Sequence, residues 1–359
     1  MITPILSGIG AEAITTSRLT TRVLSSGPDD GEPVLFLHGN LSSATWWETT
    51  MLRLPARFRA VASDQRGFGE ADPLAKIDAR RGLGDLADDA IALLDKLNID
   101  RAHLVGNSMG GGVVWHLMAN APDRILTVTQ VSPGSPYGFG GTKDNHGTPC
   151  WDDFAGSGGG LVNPELVDRL ESSDAGTDSQ FSPRNVLRNF IVVPGSIPEN
   201  EDGLVAGMLT THLGQQAYPG DMVPSGNWPF VSPGIAGINN AQSPKYLGDL
   251  VERLLAPSRK PAVAWIRGDL DKVVADNAIG DPGTLGALGL IPDWPGAESY
   301  PAQPMLAQTR SVLDQYQASG GSYTETTIEG AAHVPFIECP ATFDDLFHAH
   351  IENPGGNTI

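Results

Sequence analysis

The segment His103 to Gly112, HLVGNSMGGG, sets a serine between glycines where a short apolar run gives way to a glycine-rich one. A serine hydroxyl in the pattern Gly106-x-Ser108-x-Gly110 can act as a nucleophile if the chain bends sharply there. The preceding run reads as a strand and the following one as a helix, so Ser108 falls on the bend. Glycines on either side let strand and helix approach closely. Ser108 Oγ then projects at the carboxyl end of a sheet, beside a helix N-terminus whose dipole favours developing negative charge.

Such a hydroxyl is a weak nucleophile and needs a base. Of the eight histidines, His103 and His116 fall inside the strand and helix around Ser108, and His348 and His350 inside the last helix. His333 follows the last strand in EGAAHVPF, where small neighbours leave room for an exposed ring. It is the expected base. The imidazole in turn needs a carboxylate to set its tautomer and stabilise its cation. After AVAWIR come Gly268, Asp269, Leu270 and Asp271. Asp271 stands where the strand has ended, and is the expected partner. Asp269 is the runner-up, with a turn-capping role as its alternative. Main-chain N–H groups of Asn40, in the turn His38-Gly39-Asn40, and of Met109 are expected to converge on the reacting oxygen. Leu41 N–H replaces Asn40 if that turn is rotated by one residue, and His38 is expected to brace the loop.

These residues need a scaffold. PVLFLHG (33–39), RAVASDQRG (59–67), AHLVGNS (102–108), ILTVTQVSP (125–133), PAVAWIRGDLD (261–271) and SYTETTIEGAAH (322–333) read as strands. Helical spacing is found over 46–58, 83–99, 109–122, 304–320 and 340–352. In 83–99, for example, Leu86, Ala90, Leu93, Leu94 and Leu97 share one face. Strands alternating with helices through short links imply an α/β fold, a mostly parallel, doubly wound sheet with helices on both sides. Residues 134–258 break the pattern with Gly, Pro, Asn and Ser, and are too long for a loop. They are expected to form a cap inserted into a core of residues 1–133 and 259–359. A second excursion covers 276–299.

The chain of 359 residues is 40% hydrophobic, with 23 Lys and Arg against 42 Asp and Glu, a formal net charge of −19. It has length for a sizeable core. The acidity disfavours nucleic acid and anionic membrane surfaces as partners. Cys150 and Cys339 form no CxxC pair and suggest no zinc or dithiol site. Two free thiols are the simpler expectation, with one disulfide as the alternative. No basic, apolar leader opens the sequence, and no run approaches a membrane span. A cytoplasmic protein is expected, binding a small-molecule substrate without metal or cofactor. A homo-oligomer is possible but not indicated.

FLHGN, SDQRGFGEAD, LVGNSMGG, IRGDLDKVV and EGAAHVPFIECP resemble, in order, the motifs of the α/β-hydrolase fold superfamily. The resemblance covers about residues 13–133 and 261–352. It implies a serine hydrolase of esterase, lactonase or amidase type, with Ser108, Asp271 and His333 as its triad. HGN with nearby tryptophans is also similar to haloalkane dehalogenases, but these and epoxide hydrolases use an aspartate where Ser108 stands. Proteins of similar appearance cleave C–C bonds of diketones with the same three residues. A catalytically silent ligand-binding receptor is the alternative from another class. The cap is expected to lie over the strand ends, with Trp151, Phe154, Trp228 and Phe230 joining Trp46 and Phe336 around an apolar pocket.

Overall fold

A computed structural model of the chain describes residues 5–353. Eight strands form one sheet: β1 (Gly10–Thr15), β2 (Thr20–Ser26), β3 (Glu32–Leu37), β4 (Phe58–Ser63), β5 (Ala102–Asn107), β6 (Ile125–Val131), β7 (Ala262–Gly268) and β8 (Tyr323–Ile328). Their order is β1-β2-β4-β3-β5-β6-β7-β8. The six strands from β3 onward are mutually parallel; at one edge β2 pairs antiparallel to β4, and β1 antiparallel to β2. The β1–β2 hairpin was not expected from the sequence. β1 is largely exposed along its length, so it lacks the apolar signal that identifies a buried strand.

All six residues of β5 are buried. This is the physical reason for its continuous apolar run: a central parallel strand is covered on both faces. The main core helices are α1 (Gly84–Lys96), α2 (Met109–Asn120), α3 (Met305–Ala318) and α4 (Pro340–Glu352). Each lies within a few residues of its expected place. The segment 46–58 differs. It forms a short 3-10 turn, Ala44–Trp47, and a five-residue helix, Glu48–Leu52, before Pro55 and β4.

Residues 134–258 enter the chain between β6 and β7. They carry the helices Pro164–Glu171 and Glu201–Leu209 and several two- and three-residue strands. The insert shares its hydrophobic core with the sheet: Leu166, Leu187, Leu204 and Met208 belong to the same buried cluster as Val105 and Val113. The helix Leu250–Leu255, near the end of the insert, belongs to that cluster as well. Cys150 and Cys339 are both free. Among the described residues no helix is long and apolar enough to cross a membrane, and no group of three or more His, Cys, Asp or Glu side chains could hold a metal ion.

Candidate active site

Ser108 ends β5 and opens α2 with φ 55° and ψ −118°. This is an uncommon backbone conformation for a residue with a side chain, and such strain collects at functional sites. Hydrogen bonds hold it: Ser108 N–H donates to Val131 O (3.1 Å), and its carbonyl accepts from Gly112 N–H (3.2 Å) and Gly134 N–H (3.0 Å). The flanking glycines serve close approach. A Cβ on Gly106 would overlap the Gly110 main chain, and one on Gly110 would overlap the Leu37 carbonyl at the end of β3.

His333 and Asp271 meet beyond the ends of β8 and β7. His333 Nδ1 lies 2.9 Å from Asp271 Oδ2, and both side chains are buried. Asp271 Oδ1 accepts from the N–H groups of Val273 (2.8 Å) and Val274 (3.1 Å), which fixes the carboxylate. Asp269 instead accepts from Gly330 N–H (2.8 Å), closing the turn between the two strand ends. The loop of His333 is tied to β5, because Asn107 Nδ2 donates to His333 O (3.2 Å). It is tied to the insert as well, because His333 N–H donates to Ile191 O (3.1 Å). Among the described residues no hydrogen bond joins the Ser108 hydroxyl to the His333 ring; contacts of this kind often tighten only around substrate.

Glu338 was not singled out in the sequence. One carboxylate oxygen accepts from Val193 N–H of the insert (2.7 Å), and the other from Ala332 N–H (2.9 Å) and Val334 N–H (3.3 Å), on either side of His333. Burial pushes its carboxyl above the usual glutamate range, opposed by these three donors. Only its position five residues after His333, in HVPFIE, hinted at such a clasp.

The turn after β3 supplies the other side. Asn40 and Met109 keep main-chain N–H groups that donate to no partner among the described residues. Leu41 N–H is committed to Asn40 Oδ1 (3.1 Å), which removes it as an alternative donor. His38 braces the loop. Its Nε2 accepts from Gln65 N–H (3.0 Å), and Nδ1 faces Gly39 O (2.8 Å). Complete burial lowers its pKa to about 4, so the ring is neutral near pH 7.

Ser108, Met109 and Asn40 open onto a cavity of about 310 Å³, walled by Leu83, Trp115, Phe139, Leu161, Leu247 and Val274 among others. The six aromatic residues expected to line the pocket do not line this cavity. Trp46 is buried beside the insert and donates from Nε1 to Leu204 O (3.0 Å), clamping the helix Glu201–Leu209. Phe336 stacks on Trp47 at 4.1 Å in the main core. Trp151 and Trp228 pack with Tyr300 in a separate small core, where Trp151 Nε1 donates to Trp228 O (2.7 Å). Phe154 sits in a turn with φ 59°, and Phe230 is 55% exposed. Large rings bury most area by packing on one another, as Trp151 and Trp228 do with Tyr300. The cavity wall comes in part from helix period instead: Gly112 and Trp115 lie four and seven residues after Ser108, on one face of α2.

The sheet order, the strained serine at a strand-to-helix bend and the acid–histidine pair past later strands are the arrangement of the α/β-hydrolase fold. A family model described as alpha/beta hydrolase fold matches residues 32–182, and the chain has the α/β-hydrolase fold. It is 29% identical over 118 residues to the carboxylesterase YbfK of Bacillus subtilis, covering 33% of this chain and 39% of that one. It is 35% identical over 109 residues to 2-hydroxy-6-oxo-6-phenylhexa-2,4-dienoate hydrolase of Comamonas testosteroni, covering 29% and 37%. These and other matches span less than half the length of the curated relatives. The crystal structure of the carboxylesterase CesB (YbfK) from Bacillus subtilis superposes with a TM-score of 0.57 at 16% identity, covering 99% of this chain and 94% of that one. At that identity the likeness concerns the fold.

Proposed function

We propose that the chain is a serine hydrolase that cleaves a carboxylic ester, lactone or amide bond in a bulky, largely apolar small molecule. Ser108 Oγ attacks the carbonyl carbon as His333 takes the hydroxyl proton, and the N–H groups of Asn40 and Met109 receive the negative oxygen. Collapse of the tetrahedral species breaks the bond to the leaving group, which departs with the proton from His333. Water then attacks the acyl-enzyme, losing its proton to His333, and the acid is released as Ser108 regains its hydrogen. Asp271 holds the imidazole and stabilises its cation.

The observation that carries this reading is the strained Ser108 at the mouth of a cavity, beside two uncommitted N–H donors. Likeness to carboxylesterases over part of the chain supports the bond class. A C–C hydrolase is the second reading, favoured by likeness to the Comamonas enzyme.

A 4-nitrophenyl ester and a serine-directed organophosphate test the proposal. The expected result is nitrophenol release and a covalent adduct on Ser108 by mass spectrometry. Ser108→Ala should remove both and retain the wild-type circular dichroism spectrum. Full activity in that variant would reject the nucleophile. Absence of turnover and adduct in the wild type would reject the enzyme.

A further inference from the structure

The residues lining the cavity include no Asp, Glu, Lys, Arg or His. A charged group bound there would lose its hydration without gaining an ion partner, a heavy cost in an apolar enclosure. The polar groups on the wall are few, and most have partners. Ser135 Oγ donates to Gln308 Oε1 (2.7 Å). Trp115 Nε1 donates to Gly134 O (3.0 Å). Asn40 Nδ2 donates to Asn239 Oδ1 (2.7 Å). Gln242 leans back on Ile238 O of its own helix (3.4 Å).

Tyr218 differs. Its ring lines the cavity and is buried, and Asn239 lines the same cavity. Asn239 Oδ1 is engaged by Asn40, which directs the amide N–H₂ away from Asn40. A phenol hydroxyl has one proton to donate. Among the described residues that proton has no acceptor. Burial also pushes the phenol well above its ordinary range, so it remains a protonated donor. Asn239 is anchored by its neighbour Asn240, fully buried, which binds Gly159 N–H (2.9 Å), Asp221 O (2.7 Å) and Ala236 O (2.7 Å).

Building on the hydrolase reading above, we propose that the cavity takes an uncharged substrate arm with an apolar body and one oxygen acceptor, and that Tyr218 is the specificity residue that donates to that oxygen. The volume corresponds to about ten water molecules, room for a chain or ring system of about ten non-hydrogen atoms. The Asn40–Asn239 bond places the reader one side chain from the oxyanion turn, so a correctly seated oxygen and a correctly placed carbonyl are registered by connected groups. An anionic arm, such as a dicarboxylic half-ester, is excluded for want of a cation.

The test uses 4-nitrophenyl esters of one chain length, about eight atoms. One is plain alkyl, a set carries a single ether or keto oxygen moved along the chain, and one ends in a carboxylate. For the wild type, kcat/KM should favour the best oxygenated ester over the plain one by about tenfold, the scale of one well-made neutral hydrogen bond. The carboxylate ester should fall at least a hundredfold below the plain ester. In Tyr218→Phe the ratio of oxygenated to plain ester should drop to about one. Both esters are measured on one preparation, so the ratio is insensitive to partial loss of folded enzyme. Equal rates on the carboxylate and plain esters would overturn the uncharged-arm claim. A preference that survives Tyr218→Phe, or is lost only in Gln242→Leu, would overturn the role of Tyr218. If no ester at all is cleaved and Ser108 takes no organophosphate, the hydrolase reading itself fails, which is a separate result.

Discussion

Asp271 and Asp269 differ by two positions but occupy different environments. Asp271 is buried against the His333 ring with its second oxygen held by two N–H groups, whereas Asp269 closes a turn at the surface. An acid that fixes an imidazole tautomer contributes about 10⁴ in kcat, and a turn clasp contributes to stability alone. Asp271→Asn should therefore lower kcat by about three to four orders of magnitude with little change in melting temperature. Asp269→Asn should leave kcat within about threefold and cost on the order of 1 kcal/mol of stability. Paired kinetics and thermal melts check both, and a larger loss of kcat in the second variant would reassign the acid. The spacing in IRGDLDKVV raised both candidates. It could not choose between them, because the choice depends on where β8 and its histidine lie in space.

At the scale of elements, the segment 276–299 links sheet and insert. Trp228 Nε1 donates to Pro292 O (2.8 Å), and Asp281 caps the helix Pro282–Ala287 by accepting from Thr284 N–H (3.0 Å). Asp281 is almost wholly buried, its Oδ1 has no partner among the described residues, and burial raises its pKa from 3.8 to about 6. A carboxyl raised on folding favours the folded state while protonated. That contribution is complete below the unfolded value and is lost as pH rises through about 6. Asp281→Asn keeps a capping oxygen and removes the buried charge. It should stabilise the protein by on the order of 2 kcal/mol at pH 8 and have no effect below pH 4. Urea unfolding at the two pH values measures this, and equal effects at both would refute it. The sequence marked this segment only as an excursion, since a helix of six residues carries little periodic signal.

Over the whole molecule, two buried histidines and a partly buried one oppose acid. His38, His116 and His350 each have a pKa lowered by burial to about 4. Below pH 6.5 the unfolded chain takes up protons at these sites while the folded chain does not. Their contribution to stability is thus present above 6.5 and lost as pH falls toward 4. Asp281 works in the opposite sense over part of that window. The net uptake on unfolding from these four groups should be a little under two protons, or on the order of 2 kcal/mol lost per pH unit near pH 5. The pH dependence of the urea midpoint checks this, and a midpoint constant from pH 6.5 to 4.5 would contradict it.

The sequence by itself determined the parallel strands, the helices between them, the bend at Ser108 and the short list from which its partners come. These are local matters: runs of apolar residues, helical spacing and glycines at a turn follow from backbone sterics and burial period within a dozen residues. The edge strand β1 escaped because an exposed edge strand needs no apolar pattern. Only the tertiary structure decided that Asp271 rather than Asp269 faces His333, that Glu338 holds the histidine loop, and that the cavity is walled by Trp115, Phe139 and Tyr218. It also sent the six expected aromatics elsewhere, into the main core, a second small core, a turn and the surface. A large ring gains as much from packing on another ring as from lining a cavity, so which it does depends on what the rest of the chain brings beside it.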